Sequence, residues 1–249
     1  MQLKDAVLVG LDTETTGLDT RRDRVFEIGL VTYRSGDVVE NWGRLMDPLV
    51  ELDQKVVETT GVTTEEVSGQ PVFAEVVDEI EKRISGQILV GYNIIDFDLP
   101  MLATEFERLG RQMPPFQVID VLVFARQLAR GGRHRLGDMA ARFGVEMDTA
   151  HRATADADAT VRLLYALAPS LPDDVEKLLV LQSQWSAQQQ SKRAMWRDRG
   201  DGGALIGSGQ AAAVAHDDKV ALGPAYLYGD ERDPLKAFIN QYADQTVRR

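Results

Sequence analysis

The first apolar run of the chain, Val7-Leu8-Val9-Gly10-Leu11, passes without a turn signal into Asp12-Thr13-Glu14-Thr15-Thr16-Gly17. Its length and β-branched content predict a buried strand with an acidic end. Side chains alternate along a strand, so Leu8, Gly10, Asp12 and Glu14 share one face. Alternation over 24–33, and again over 38–46 beyond Ser35-Gly36-Asp37, predicts two more strands and an antiparallel start to the sheet. Glu27 falls inside the second strand with no paired carboxylate at strand spacing, and reads as structural.

Helical periodicity follows. Short helical signals at 54–58 and 63–67 precede Pro71, which opens an amphipathic helix over 72–84, with Val72, Val76, Ile80 and Ile84 in one stripe beside Phe73 and Val77. Gly86 ends it, and 88–93 is another short strand. Pro100 fits only a first helical turn, which makes Asp98 or Leu99 the N-cap of a helix that buries Leu102, Phe106 and Leu109. Asp98 shares that face, as a cap or as a ligand, with Asp96 the competing candidate for a ligand role. A strand over 116–120 and helices over 121–129 and 136–143 come next. In the helix after His151, Asp156 lies on the face of Leu163 and Leu167. Asp158 lies about 200° away, four residues before Arg162, as a surface ion pair. His151 can share a site with Asp156 only from the loop ahead of that helix.

Beyond Pro169 the pattern weakens. Residues 173–197 are helical, with Val175, Leu178, Leu181 and Trp185 in one stripe, able to pack on the front of the chain or on a partner. Seven Gly within 200–233 predict a linker, and 234–247 a short helix presenting Leu235, Phe238, Ile239 and Tyr242. This divides the chain into a domain over 1–169 and an extension over 170–249.

Composition narrows the chemistry. Absence of Cys among 249 residues excludes thiolate sites, and three scattered His are too few for a zinc cluster. Adjacent like charges at the end of a core strand need a counter-charge, and a hard divalent cation such as Mg²⁺ is the natural one. The net charge of −11, concentrated in the first 170 residues, argues against a broad basic surface for nucleic acid, but not against gripping a few phosphates through metal ions. The one basic cluster, Arg126 to Arg135, reads equally as a phosphate contact or as a solvated loop. No run of 18 apolar residues and no charged-then-apolar leader occur, so a cytoplasmic protein without membrane association is expected.

Taken in order, Asp12-x-Glu14-Thr15-Thr16-Gly17, Asn93 with Phe97-Asp98, and His151 five residues before Asp156 resemble the DEDDh family of 3′-to-5′ exonucleases, across 5–168. The resemblance implies an α/β, ribonuclease H-like mixed sheet, its first three strands antiparallel, flanked by helices and followed here by a helical C-terminal extension. It implies Asp12, Glu14, Asp98 and Asp156 around two Mg²⁺ or Mn²⁺ ions, with His151 as general base. Thr15, Gly17, Leu18, Asn93 and Phe97 would line the terminal-nucleotide pocket, Gly17 for close approach of the sugar and Phe97 mainly as packing beneath it. The implied substrate is a single-stranded 3′ end, DNA before RNA, with nucleoside 5′-monophosphates as products. An RNA-trimming exonuclease or oligoribonuclease is the rival enzyme, and a non-catalytic replication accessory the rival from another class. The extension is a candidate docking surface for a DNA polymerase or other replisome component. The Arg-rich composition, 21 Arg to 7 Lys, hints at a GC-rich bacterial or bacteriophage genome, hence at bacterial or infected-host cytoplasm.

Overall fold

In the computed structural model, which describes residues 1–129, 131–147 and 152–198, with side chains to residue 192, three antiparallel strands open the fold. They are β1 (Val7–Thr15), β2 (Val25–Arg34) and β3 (Asp37–Leu45). The Ser35-Gly36 turn joins the last two with positive φ at both residues. Across β1 and β2, Asp12 stands opposite Gly29 and Glu14 opposite Glu27, with a bulge after Glu14.

Three helices follow: α1 (Gln54–Thr60), α2 (Thr64–Val67) and α3 (Phe73–Ile84). Gly61 closes α1 in the left-handed conformation, and Thr63 with Glu66 forms a capping box on α2. Strand β4 (Ile88–Gly91) then adds parallel to β1, and β5 (Gln117–Asp120) adds parallel to β4, with α4 (Asp98–Arg108) between them. The sheet order is β3-β2-β1-β4-β5. Parallel pairs require crossovers and antiparallel pairs only turns, which accounts for the mixed sheet of the expectation.

Alternation along the strands supplies the two larger apolar clusters, and Phe26 with Leu52, Val62 and Val67 forms a third, smaller one. Leu8, Val31, Val90 and Ile119 face α5 (Val121–Leu128), α6 (Leu136–Arg142), α7 (Ala153–Leu167) and α8 (Val175–Asp198), against Phe124, Val161, Leu164 and Leu178. Val9, Leu11, Leu30 and Leu89 face α3 and α4, against Ile80, Ile84, Leu102 and Phe106. Two expectations for α4 are corrected: its cap position is Phe97, with Asp98 and Leu99 already inside the helix, and Leu109 lies past its last residue and is exposed. Val72 likewise caps α3 and is half-buried.

Helix α8 packs on α5 and β5. Phe124 and Trp185 meet edge to face, and the buried Gln182 accepts from Asp120 N at 2.8 Å and donates to the Val118 carbonyl at 3.1 Å. The expected linker over 200–233 and final helix over 234–247 lie outside the described residues. Among those described, no helix is long and apolar enough to cross a membrane.

Candidate active site

The acidic end of β1 meets the first turn of α7 because three strands leave no side chain in the way. A Cβ on Gly29 would stand 2.3 Å from the backbone of Ala153 and Thr154. One on Gly10 would stand 2.7 Å from the Ala157 carbonyl, and one on Gly43 2.7 Å from the Thr154 methyl. Glycine inside a strand marks such close backbone approach. The trough lets α7 lie directly on the sheet and bring Asp156 beside β1. Oxygens of Asp12, Glu14 and Asp156 accordingly converge within 4.8 Å of one another.

Asp98 joins from α4. Its Oδ1 accepts from the Thr13 hydroxyl at 2.7 Å and from Thr13 N at 3.0 Å, which ties the start of α4 to β1. Asp98 is 3% exposed, whereas Asp96 is on the surface.

Electrostatics mark these groups as a unit. Burial, then repulsion from Asp98, Glu14, Asp156 and Glu27, holds Asp12 well above the usual carboxylate range. Glu14 is pushed up to about 8 by burial and by Asp156, Glu27 and Asp98, with Arg152 acting the other way. Burial raises Asp98 to about 7 against the opposing Thr13 hydrogen bonds. Carboxylates so arranged could hold a cation. An all-oxygen donor set is what a hard divalent ion takes, so the residues fit one.

Glu27 is the surprise of the site. It has no carboxylate neighbour along its own strand, yet across the β1–β2 pair it faces Glu14. It is 3% exposed and bonded to Arg152 Nε at 3.0 Å, while burial raises its pKa against the opposing pull of Arg152. A Glu in the apolar run Val25-Phe26-Glu27-Ile28-Gly29 was the available signal, but only the strand register supplies its neighbour.

The surrounding loops are tied down. Glu105, buried on α4, accepts from Arg24 at 2.7 and 3.1 Å and from Arg108 at 2.9 Å. Arg108 also donates to the carbonyls of Arg21, Arg22 and Asp23, which clamps the β1–β2 loop. Within that loop Thr15 donates to the Gly17 carbonyl at 2.7 Å, Leu18 is exposed, and a Cβ on Gly17 would collide with the Asp23 carboxylate at 2.4 Å. Gly17 thus has an intramolecular reason to lack a side chain. Asn93 takes a positive φ, and its N–H donates to Asp120 Oδ1 at 3.0 Å. The buried Asp120 also accepts from Leu122 and Ile95, and burial raises it to about 6. Phe97 packs partly buried against the core. The basic cluster curls beside this turn: Tyr92 donates to the His134 carbonyl at 2.8 Å, and Arg133 and Arg135 are exposed. His151, together with Arg130, lies outside the described residues; the described chain resumes at Arg152.

The RNase_T family model, described as an exonuclease family, matches residues 9–164. The chain belongs to this exonuclease family. It is 36% identical over 168 residues to a PolC-type DNA polymerase III of Streptococcus thermophilus, and 33% over 166 residues to that of Halalkalibacterium halodurans. Each match takes in 66% of this chain but only 11% and 12% of the relative, so the chain corresponds to a small part of those polymerases. Among solved structures it is similar to exonuclease X in complex with 5′ overhanging duplex DNA, with a TM-score of 0.58 and 20% identity over 70% of this chain and 99% of that one. It is also similar to E. coli exonuclease I in complex with a dT13 oligonucleotide, with a TM-score of 0.58 and 19% identity over 76% of this chain and 46% of that one. These likenesses show the ribonuclease H-like exonuclease fold.

Proposed function

We propose that this protein is a metal-dependent 3′-to-5′ exonuclease acting on single-stranded ends, DNA in preference to RNA, and releasing nucleoside 5′-monophosphates. The observation that carries the reading is the convergence of Asp12, Glu14 and Asp156 within 4.8 Å, with buried Asp98 tied to the same strand. A module that only binds nucleic acid has no use for carboxylates that converge in this way. The DNA preference is supported by relatives named as DNA polymerases and by fold neighbours solved with DNA.

In this reading Asp12, Glu14, Asp98 and Asp156 hold two divalent ions, Mg²⁺ or Mn²⁺. When bound, such ions acidify a water and offset charge on the scissile phosphate and the leaving oxygen. His151 takes the proton from the attacking water, a task suited to an imidazole near neutrality. Thr15, Gly17, Leu18 and Asn93 receive the terminal nucleotide, with Phe97 packed beneath. Residues 1–169 form the nuclease unit, and 170–249 an extension that could meet a polymerase or other replisome component. A cytoplasmic site of action goes with that context.

Digestion of 5′-labelled single-stranded DNA in Mg²⁺ or Mn²⁺ should give a ladder shortening from the 3′ end, silenced by EDTA and by Asp12→Ala. A matched RNA oligonucleotide should be cut more slowly. Strong RNA preference would favour the RNA-trimming alternative, and an equally active Asp12→Ala would remove the metal mechanism altogether.

A further inference from the structure

Helix α7 carries both Asp156 and the Ala157 backbone that rests on β1, yet it has no capping side chain of its own. Arg152, at its cap position, makes no side-chain bond to the first turn. The first N–H groups of a helix need partners, and its N-terminus favours negative charge. Here the carboxylate comes from the sheet. Glu27 holds Arg152 through Nε, and the Ala153 N–H lies against the same carboxylate and favours its charged form. Gly29, two residues along the same face of β2, sets the depth at which Ala153 and Thr154 rest. The N–H groups of Ala155 and Asp156 in turn donate to the Arg152 carbonyl at 2.8 and 3.0 Å. Whatever fixes Arg152 therefore fixes the first turn.

The far side of Arg152 is unconfined. Its side chain is 51% exposed and borders an open cleft of about 790 Å³ that Glu27, Arg44, Glu75 and Thr154 also line. At the floor of that cleft, Glu27 is the carboxylate to which Arg152 is bonded. Glu27 is not among the three carboxylates whose oxygens converge; it repels them from across the strand pair, while its side-chain bond runs to Arg152.

Building on the exonuclease reading, we propose that Glu27 is a positioning residue: through Arg152 it fixes the first turn of α7, and so places Asp156 opposite Asp12 and Glu14. Glutamine at position 27 can still accept from Arg152, whereas leucine fills the space and accepts nothing.

The test compares wild type, Glu27→Gln and Glu27→Leu in the full chain, by steady-state cleavage and by amide hydrogen exchange. Misplacing a reacting group by about 1 Å can cost on the order of 100-fold. Glu27→Leu should therefore lose roughly that much kcat with little change in KM, and the Ala155 and Asp156 amides should exchange faster while the rest of α7 keeps its protection. Glu27→Gln should stay within about tenfold of wild type, since it keeps the hydrogen bond and loses only the added strength of a charged acceptor, worth about that factor. Arg152→Ala should repeat the leucine phenotype, and serves if Glu27→Leu fails to fold. Leucine with wild-type kcat or unchanged exchange would overturn the proposal. So would glutamine as inactive as leucine with lost thermal stabilisation by Mn²⁺, because Glu27 would then bind the ion itself. If wild type cleaves nothing, the exonuclease reading fails, and the exchange data alone decide whether Glu27 holds the helix.

Discussion

At the scale of single residues, the most consequential feature is an atom that is absent. Gly29 sits opposite Asp12 in the strand pair and beneath the first turn of α7, with room for a hydrogen only. Gly29→Ala must lift the helix or bend the strand, and overpacking of this kind costs about 1–3 kcal/mol. We expect a lower unfolding midpoint and, well below that midpoint, a loss of cleavage greater than stability explains, because Asp156 moves with the helix. Gly137→Ala in α6 is the matched control. Its nearest neighbour would be Met147 Sδ at 4.0 Å, and alanine in a helix should be up to about 1 kcal/mol better than glycine. Chemical denaturation of both variants, read beside their turnover, checks this; a Gly29→Ala protein as stable and active as the control would mean that α7 does not rest on the sheet as described.

At the scale of elements, what the sequence makes legible and what it hides divide along a physical line. Strand β1 and the inward face of α4 follow from local periodicity, and so does the burial of Asp98, because each depends only on which way successive side chains point. The facing of Glu27 and Glu14 depends on the register between two strands, which no single stretch encodes. The trough of Gly10, Gly29 and Gly43 spans three strands, so each glycine alone looks incidental. Helix α8 shows the same divide: its apolar stripe is visible in the sequence, but the surface it covers is not. Gln182 settles that surface by completing the backbone bonding of Val118 and Asp120 at the end of β5. Gln182→Leu would leave both groups buried without their partner, at about 1–3 kcal/mol. Since Asp120 in turn carries the Asn93 and Ile95 N–H groups, a small loss of kcat should accompany the lower midpoint. Unchanged stability in this variant would mean that α8 does not dock through Gln182.

At the scale of the whole molecule, the fold buries carboxylates that also repel one another, and pH makes that cost measurable. Glu14, Asp98 and Asp120 stand at about 8, 7 and 6, and Asp12 is also held well above its ordinary value, whereas unfolded carboxyls titrate near 4. Each group is therefore raised by folding, so between about pH 4 and 8 the native state binds more protons than the unfolded chain. Stability is then fully present below the unfolded values and declines as pH rises through the folded ones. In EDTA, thermal unfolding should come at progressively lower temperature from pH 5 to pH 8.5, with the free-energy loss amounting to a few kcal/mol on the order-of-magnitude scale of such shifts. A divalent ion binds the charged form and reverses the preference, so Mg²⁺ or Mn²⁺ should raise the midpoint more at pH 8 than at pH 5.5 and flatten the profile. Asp120 lies outside the acidic group and should leave a residual slope near pH 6 even with metal present. Asp12→Asn, by removing one of the crowded charges, should stabilise the metal-free protein at pH 8 while abolishing the metal response. A profile in EDTA that is flat or rises with pH would show that the four carboxylates are not crowded together in solution, and the case for a metal-binding centre would fall with it.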